Sequence, residues 1–292
     1  MLEACKITGF ADEIHRDLDV QLQVLAKLGQ KYIELRGADG INIADMTMEN
    51  AADFKARMDA QGVKVSALGS PIGKIGITDD FEPHFQKFKH VVELAKFFET
   101  PYIRMFSFYL PHDCNKADYR EEVLARMARM VDYAKEQNVV LLHENEKGIY
   151  GEDAVGCKDL MEQFYGDNFK CIFDFANFVQ CRQDTVEAYE MLKNYIHYFH
   201  IKDAMWENGE VVPAGQGDGQ VAIILGFMED KGFEGFLSLE PHLTNFAGLA
   251  QLEREEDMQG KAVEKLEEKK GAIAYELAHR SLCELLKYNS KI

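Results

Sequence analysis

Apolar positions along this 292-residue chain follow two alternating rhythms. Short runs of β-branched and aromatic residues, which suit strands, each precede a longer stretch with apolar residues at helical spacing. The runs are CKITGF (5–10), YIEL (32–35), VKVSAL (63–68), YIRMF (102–106), VVLLHE (139–144), KCIFD (170–174), HYFHI (197–201) and FLSLE (236–240). Their ends lie about 33 residues apart on average, the size of one strand–helix–strand unit. Between them, DLDVQLQVLAKLG closes on Gly29, a helix stop, while FEPHFQKFKHVVELAKFF and REEVLARMARMVDYAKEQ carry i, i+3, i+4 apolar faces. Eight such alternations in 292 residues predict an α/β, single-domain (β/α)8 TIM barrel over residues 1–292 rather than an open doubly wound sheet. No linker divides it.

The rhythm breaks once. QLEREEDMQGKAVEKLEEKKG (251–271) is densely charged and reads as a solvated helix face or loop, a lid or subunit contact being the alternative. AIAYELAHRSLCELLKY (272–288) is amphipathic again and reads as the last barrel helix. Hydrophobic residues make up 47% of the chain and aromatics 11%, enough for a large core. Lys and Arg number 33 against 50 Asp and Glu, and the formal charge of −17 repels phosphate backbones and anionic lipid heads. Neither nucleic acid nor a membrane is an expected partner. The start MLEACKITGF lacks a basic region followed by an apolar run of about 7–15 residues, and no segment approaches the about 18 apolar residues needed to span a bilayer. A soluble, cytoplasmic protein is expected, with homo-oligomerisation left open. Six dispersed cysteines without a CxxC pair read as small buried hydrophobes, not as a disulfide framework or a thiolate zinc site.

Candidate chemistry lies at the strand ends, because the C-terminal ends of barrel strands and the loops after them build the active site. The stretch VVLLHENEKG (139–148) begins as a buried strand and ends in two carboxylates. The fifth run closes on Glu144, the sixth on Asp174, the seventh reaches His200 and the eighth Glu240. Alternate strand residues share a face, so Val140, Leu142, Glu144 and Glu146 point one way, as do Ile172 and Asp174, Tyr198, His200 and Lys202, and Phe236, Ser238 and Glu240. Three carboxylates converging in a barrel mouth repel one another unless a proton or a cation neutralises them. One divalent ion solves this, and three oxygens with one imidazole suit Mn, Mg, Co or Zn. The competing reading satisfies each group separately, His200 by a core hydrogen bond, Asp174 as a turn cap, and Glu144 and Glu240 by basic partners. Four such groups at successive strand ends favour the shared site.

The motifs LLHENEKG, IFDFANF, YFHIKDA, GQGDGQV and LSLEPH together resemble the xylose isomerase-like TIM-barrel superfamily, the sugar phosphate isomerase/epimerase group. The resemblance covers essentially the whole chain. It implies that Glu144, Asp174, His200 and Glu240 hold one divalent metal, with Glu144 preferred over Glu146 because it directly precedes Asn145. Glu146 and Lys147 then fall in the loop over the site, within reach of substrate. Asn177 stands where ketose epimerases carry a His, which leaves the sugar preference open. Lys202 and Asp203 follow His200 in an HxKD pattern, and Lys202 has inward parity, for a substrate oxygen or an ion pair with a site carboxylate. Arg104 orients substrate or forms a structural ion pair, and Glu34 in YIELRG lines the site or is structural. The glycine-bearing GSPIGK (69–74) and GQGDGQ (215–220) read as permissive loops without P-loop spacing. His143, of opposite parity, and His242, past a proline, read as structural.

Such a site implies proton abstraction next to a metal-bound carbonyl through an enediolate, with Glu144 and Glu240 as the acid/base pair, giving ketose epimerisation or aldose–ketose isomerisation. A dehydratase of an inosose-like polyol ketone would use the same metal and the same first step. A non-catalytic sugar-binding relative is a third reading, opposed by the presence of both glutamates. A nuclease-type hydrolase of the same superfamily is opposed by the acidic surface and by the missing imidazoles at the second and third strand ends. The expected ligand is a small sugar or polyol; no compact basic cluster marks a phosphate site.

Overall fold

The computed structural model describes residues 5–244 and 270–289. Eight parallel strands carry the architecture: β1 (Lys6–Gly9), β2 (Tyr32–Leu35), β3 (Lys64–Leu68), β4 (Tyr102–Met105), β5 (Val140–Glu144), β6 (Phe169–Asp174), β7 (Ile196–Ile201) and β8 (Phe236–Leu239). All eight predicted runs are strands. The ladder runs β1-β8-β7-β6-β5-β4-β3-β2, and its two end strands pack side by side, giving a nearly closed (β/α)8 barrel.

Helices α1 (Leu18–Leu28), α2 (Met48–Ala60), α3 (Phe81–Phe97), α4 (Arg120–Gln137), α5 (Ala154–Phe164), α6 (Phe175–Gln180), α7 (Thr185–Leu192), α8 (Val221–Asp230) and α9 (Gly271–Asn289) follow the strands. Local chemistry sets their ends. Asp17 accepts hydrogen bonds from the Asp19 and Val20 amides at the start of α1, which stops at Gly29 with φ 69°. Thr47 and Asn50 close a capping box on α2, and Asp153 and Asp184 cap α5 and α7. Most of the charged 251–271 segment lies outside the described residues.

Apolar residues form two layers. A large cluster fills the space between strands and helices, and a small one, Ala67, Leu142, Ile172 and Tyr198, plugs the barrel interior beneath the mouth. The second cluster uses the inward parity that the strand ends share, so each polar terminal residue rests on a packed apolar or hydroxyl neighbour two positions earlier.

Candidate active site and metal centre

Glu144 ends β5, Asp174 ends β6, His200 is the last but one residue of β7, and Glu240 directly follows β8, its amide donating to the Ile201 carbonyl. Direct pairing of Asp174 with His200, and of Ser238 with His200, levels these ends. Each of the four is at most 2% exposed. One ligand atom from each lies within 4.8 Å of the others, so the convergence expected from parity is met. His200 Nδ1 stands 2.8 Å from Glu144 Oε1 and 3.5 Å from Glu240 Oε2.

Cations surround these carboxylates. Arg104 Nη1 lies 3.2 Å from Glu144 Oε2 and 3.7 Å from Glu240 Oε1, and Arg36 Nη1 lies 3.2 Å from Glu240 Oε1. Lys202 Nζ bridges Glu240 Oε2 at 3.0 Å and Asp174 Oδ2 at 3.2 Å. Burial resists ionisation of Glu144, but His200 and Arg104 outweigh it and hold the carboxyl at about 2. Burial likewise opposes the Glu240 charge, and Lys202 and His242 overcome it, leaving that acid well below its usual range. Asp174 goes the other way: burial prevails over Lys202 and pushes it up to about 8. Burial also works against protonation of His200, yet Glu144 and Glu34 raise it well above its ordinary value.

The cluster therefore carries surplus negative potential, felt at Asp174 as resistance to ionisation. Asp174 Oδ2 accepts no hydrogen bond among the described residues, and Lys202 is its charged contact. A buried carboxylate oxygen in that condition is one a divalent cation would satisfy. Three carboxylates and an imidazole, with no thiolate, suit a hard or borderline ion. The residues fit the group.

The structure places the remaining predicted residues as follows. Arg104, 2% exposed, donates to the Gly69 and Ser70 carbonyls at 3.0 and 3.3 Å as well as to Glu144, between the Phe10 and Phe106 rings, which is the ion-pair arrangement. Asn177, at the start of α6, donates to the Asn145 carbonyl at 2.9 Å and reaches Glu144 Oε1 at 3.5 Å. Glu146 pairs with Lys74 at 2.8 Å, tying the loops after β5 and β3 together. Glu34 is fully buried below the mouth, against His200, Tyr198 and Ser238. His143 faces away from the site, with Nε2 3.0 Å from Ser107 Oγ.

Two glycine loops have definite tasks. GSPIGK supplies the carbonyls that hold Arg104, and Gly73, at φ 91°, passes so close to the Phe106 carbonyl that a Cβ would lie 2.0 Å from its oxygen. In GQGDGQ the amides of Gly215, Gly217 and Gly219 all donate to the Asp203 carboxylate, at 2.9, 3.1 and 2.8 Å. Those amides serve Asp203 of the HxKD pattern and are directed at it, not at a phosphate.

Sequence reading missed Arg36, Asp12, Glu13 and Lys74. Arg36 donates to Asp12, Glu13 and Glu240 from a position 2% exposed. It shares the parity of Glu34, and that signal was readable one step past the end of the run. His242, expected to be structural, lies against the site: its Nε2 is 3.4 Å from Glu240 Oε1 and from Glu13 Oε1, and its amide donates to Glu13 Oε2.

Comparison with known proteins agrees with this architecture. The chain belongs to the family of xylose isomerase-like TIM barrels, which matches residues 22–269. Over 129 residues it is 22% identical to a 3-dehydroshikimate dehydratase from Bacillus anthracis, a match covering 44% of this chain and 46% of that enzyme's length. The solved structure of an L-ribulose 3-epimerase superposes with a TM-score of 0.74 at 16% identity, covering 98% of this chain and 96% of the other. A xylose isomerase-like TIM barrel protein from Mycobacterium smegmatis, in complex with magnesium, gives 0.65 at 14% identity over 97% of each chain. At these identities the structural likenesses establish the fold alone. Epimerases and a dehydratase thus stand among the proteins it resembles. No helix among the described residues is long and apolar enough to cross a membrane.

Proposed function

We propose that this chain is a divalent-metal-dependent isomerase or epimerase of a small sugar or sugar phosphate. The observation that carries the reading is the buried convergence of Glu144, Asp174, His200 and Glu240, with Asp174 Oδ2 short of hydrogen-bond donors. These four would hold the ion, as Mn, Zn, Mg or Co. When bound, it would supply electrophilic polarisation of a substrate carbonyl, which acidifies the adjacent C–H.

The protein's own groups then handle the proton. Arg104 and Arg36 fix the outer oxygens of Glu144 and Glu240, so Glu144 Oε1 and Glu240 Oε2 face inward, where His200 and Lys202 meet them. One carboxylate takes the proton from the C–H beside the carbonyl. Return of a proton to the opposite face of that carbon by the other gives epimerisation, and return to the neighbouring carbon gives isomerisation. Lys202 and Asn177 contact the proposed ligands and Glu146 lies two residues past Glu144; all three are assigned to substrate oxygens, while Arg104 acts through Glu144.

A dehydratase acting on a polyol ketone is the second reading, favoured by the partial match to 3-dehydroshikimate dehydratase. It shares the proton abstraction and differs in losing a hydroxyl afterwards. Metal analysis of the purified protein, followed by a ketose and inosose panel in D2O monitored by NMR, separates them. Deuterium incorporation with stereochemical change is the expected result; loss of water favours the dehydratase. Glu144→Gln or Glu240→Gln is expected to slow exchange about 100-fold or more, and undiminished exchange in both would remove the acid/base assignment.

A further inference from the structure

His200 presents Nδ1 to the carboxylate cluster, with Glu144 Oε1 at 2.8 Å, and turns Nε2 toward the barrel interior. There Nε2 meets Glu34, 3.2 Å from Oε2 and 3.3 Å from Oε1. Glu34 is fully buried, and its position is determined by neighbours on other strands. Oε2 accepts from the Tyr198 hydroxyl at 2.9 Å and from Ser238 Oγ at 2.5 Å. Tyr198 is held in turn by Ser66, 3.1 Å away, and Ser66 by Thr8 at 2.8 Å. Residues from β1, β2, β3, β7 and β8 thus form one polar layer below the mouth, in a barrel interior otherwise packed with Leu142 and Ile172. A buried carboxylate in such a layer is costly unless its acceptors are used, and these are used by two hydroxyls and one imidazole.

We infer that Glu34 is a positioning residue for the metal centre: it accepts the His200 Nε2 proton, fixing the tautomer and ring orientation that leave Nδ1 to bind the ion. The inference rests on the metal-site reading above. An imidazole that ligates through one nitrogen carries its proton on the other, and a carboxylate partner there both orients the ring and increases its donor strength. Rotation of the ring is further opposed by edge contacts with Phe10 and Tyr198, at centroid distances of 5.2 and 5.9 Å. Glu34 lies beneath His200, on the far side from the mouth, which separates this role from contact with substrate.

The test uses cobalt(II) alone as probe, titrated into the metal-free full-length protein and followed by its visible absorption and by chelator competition. Glu34→Gln keeps the side-chain shape and removes the charge; it is expected to weaken cobalt binding about 10- to 100-fold and to alter the absorption band. Thermal unfolding of both metal-free proteins is measured alongside. A merely structural Glu34 would lower the metal-free melting temperature while leaving cobalt affinity and spectrum unchanged, and that result overturns the inference. If Glu34→Gln does not fold, Tyr198→Phe removes one donor that holds the Glu34 carboxylate: weaker cobalt binding supports the inference, and unchanged binding overturns it. Absence of cobalt binding in the wild-type protein would overturn the metal reading itself, and this inference with it.

Discussion

Arg104 and Lys202 both neutralise site carboxylates, yet they are held differently. The Arg104 guanidinium has four assigned partners, the Gly69 and Ser70 carbonyls, Glu144 and Glu240, and two aromatic rings about it. The Lys202 ammonium has Asp174 and Glu240, both proposed ligands. Removing Arg104 therefore strands two buried carbonyls and leaves Glu144 with His200 as its remaining charge partner, whereas the Lys202 contacts are the ones an arriving ion would compete for. Arg104→Met is expected to destabilise the metal-free protein by about 3–5 kcal/mol, because breaking a buried pair from one side leaves an uncompensated charge. Urea unfolding in the presence of chelator measures this, and a loss below about 1 kcal/mol would show that the surroundings of Glu144 reorganise. Burial raises the stakes of every polar group at this mouth.

At the scale of elements, the loop after β7 illustrates how sequence motifs acquire meaning from topology. Asp203 gathers the amides of Ala204, Gly215, Gly217 and Gly219, so the loop must fold tightly around one carboxylate. A Cβ on Gly217 would lie 2.6 Å from both Asp203 Oδ1 and the Ala204 carbonyl oxygen. Gly217→Ala is expected to cost about 1–3 kcal/mol through overpacking and to raise hydrogen exchange at the amides of 215–219; unchanged protection there would refute the anchoring role. GQGDGQ was legible as a tight loop, but its partner was not, since Asp203 lies more than ten positions upstream. The eight strands and the long helices were legible because apolar period and caps agree locally, as at Asp17 and Gly29. The two-residue hairpin strands at Gly37–Ala38 and Ile41–Asn42, and at Asp203–Ala204 and Val211–Val212, are too short to show a period. The short helix Phe175–Gln180 hid inside the apolar continuation of the sixth run. Glu144, Asp174, His200 and Glu240 were legible because strand parity and barrel polarity together aim strand-end residues inward. Glu13 and His242 were not, since one ends a single 3-10 turn and the other depends on a left-handed backbone with φ 46° that Pro-His does not encode.

On the scale of the whole molecule, the four proposed ligands come from consecutive strands β5 to β8, while Arg36 follows β2 and Glu13 follows β1. An ion bound there would tie half of the barrel ring directly and reach the remainder through Arg36 and Arg104. The metal-free barrel nevertheless has its own compensation: Lys202, Arg104, Arg36 and His200, raised well above its ordinary value, surround the carboxylates, and burial raises Asp174 toward its neutral form. Removal of the ion is therefore expected to lower stability without abolishing the fold, unlike a small domain that folds only around its metal. Binding to the folded state alone adds about 2.7 kcal/mol when free ion exceeds Kd 100-fold, which for a chain of this size raises the melting temperature by roughly 4–10 °C. Thermal scans in manganese and in EDTA should show that gap, and Asp174→Asn should narrow or close it by removing one charged ligand. A wild-type melting temperature indifferent to both additions, at ion concentrations well above those that saturate such sites, would mean that the carboxylates are balanced by the protein's own cations and that the barrel mouth takes no metal.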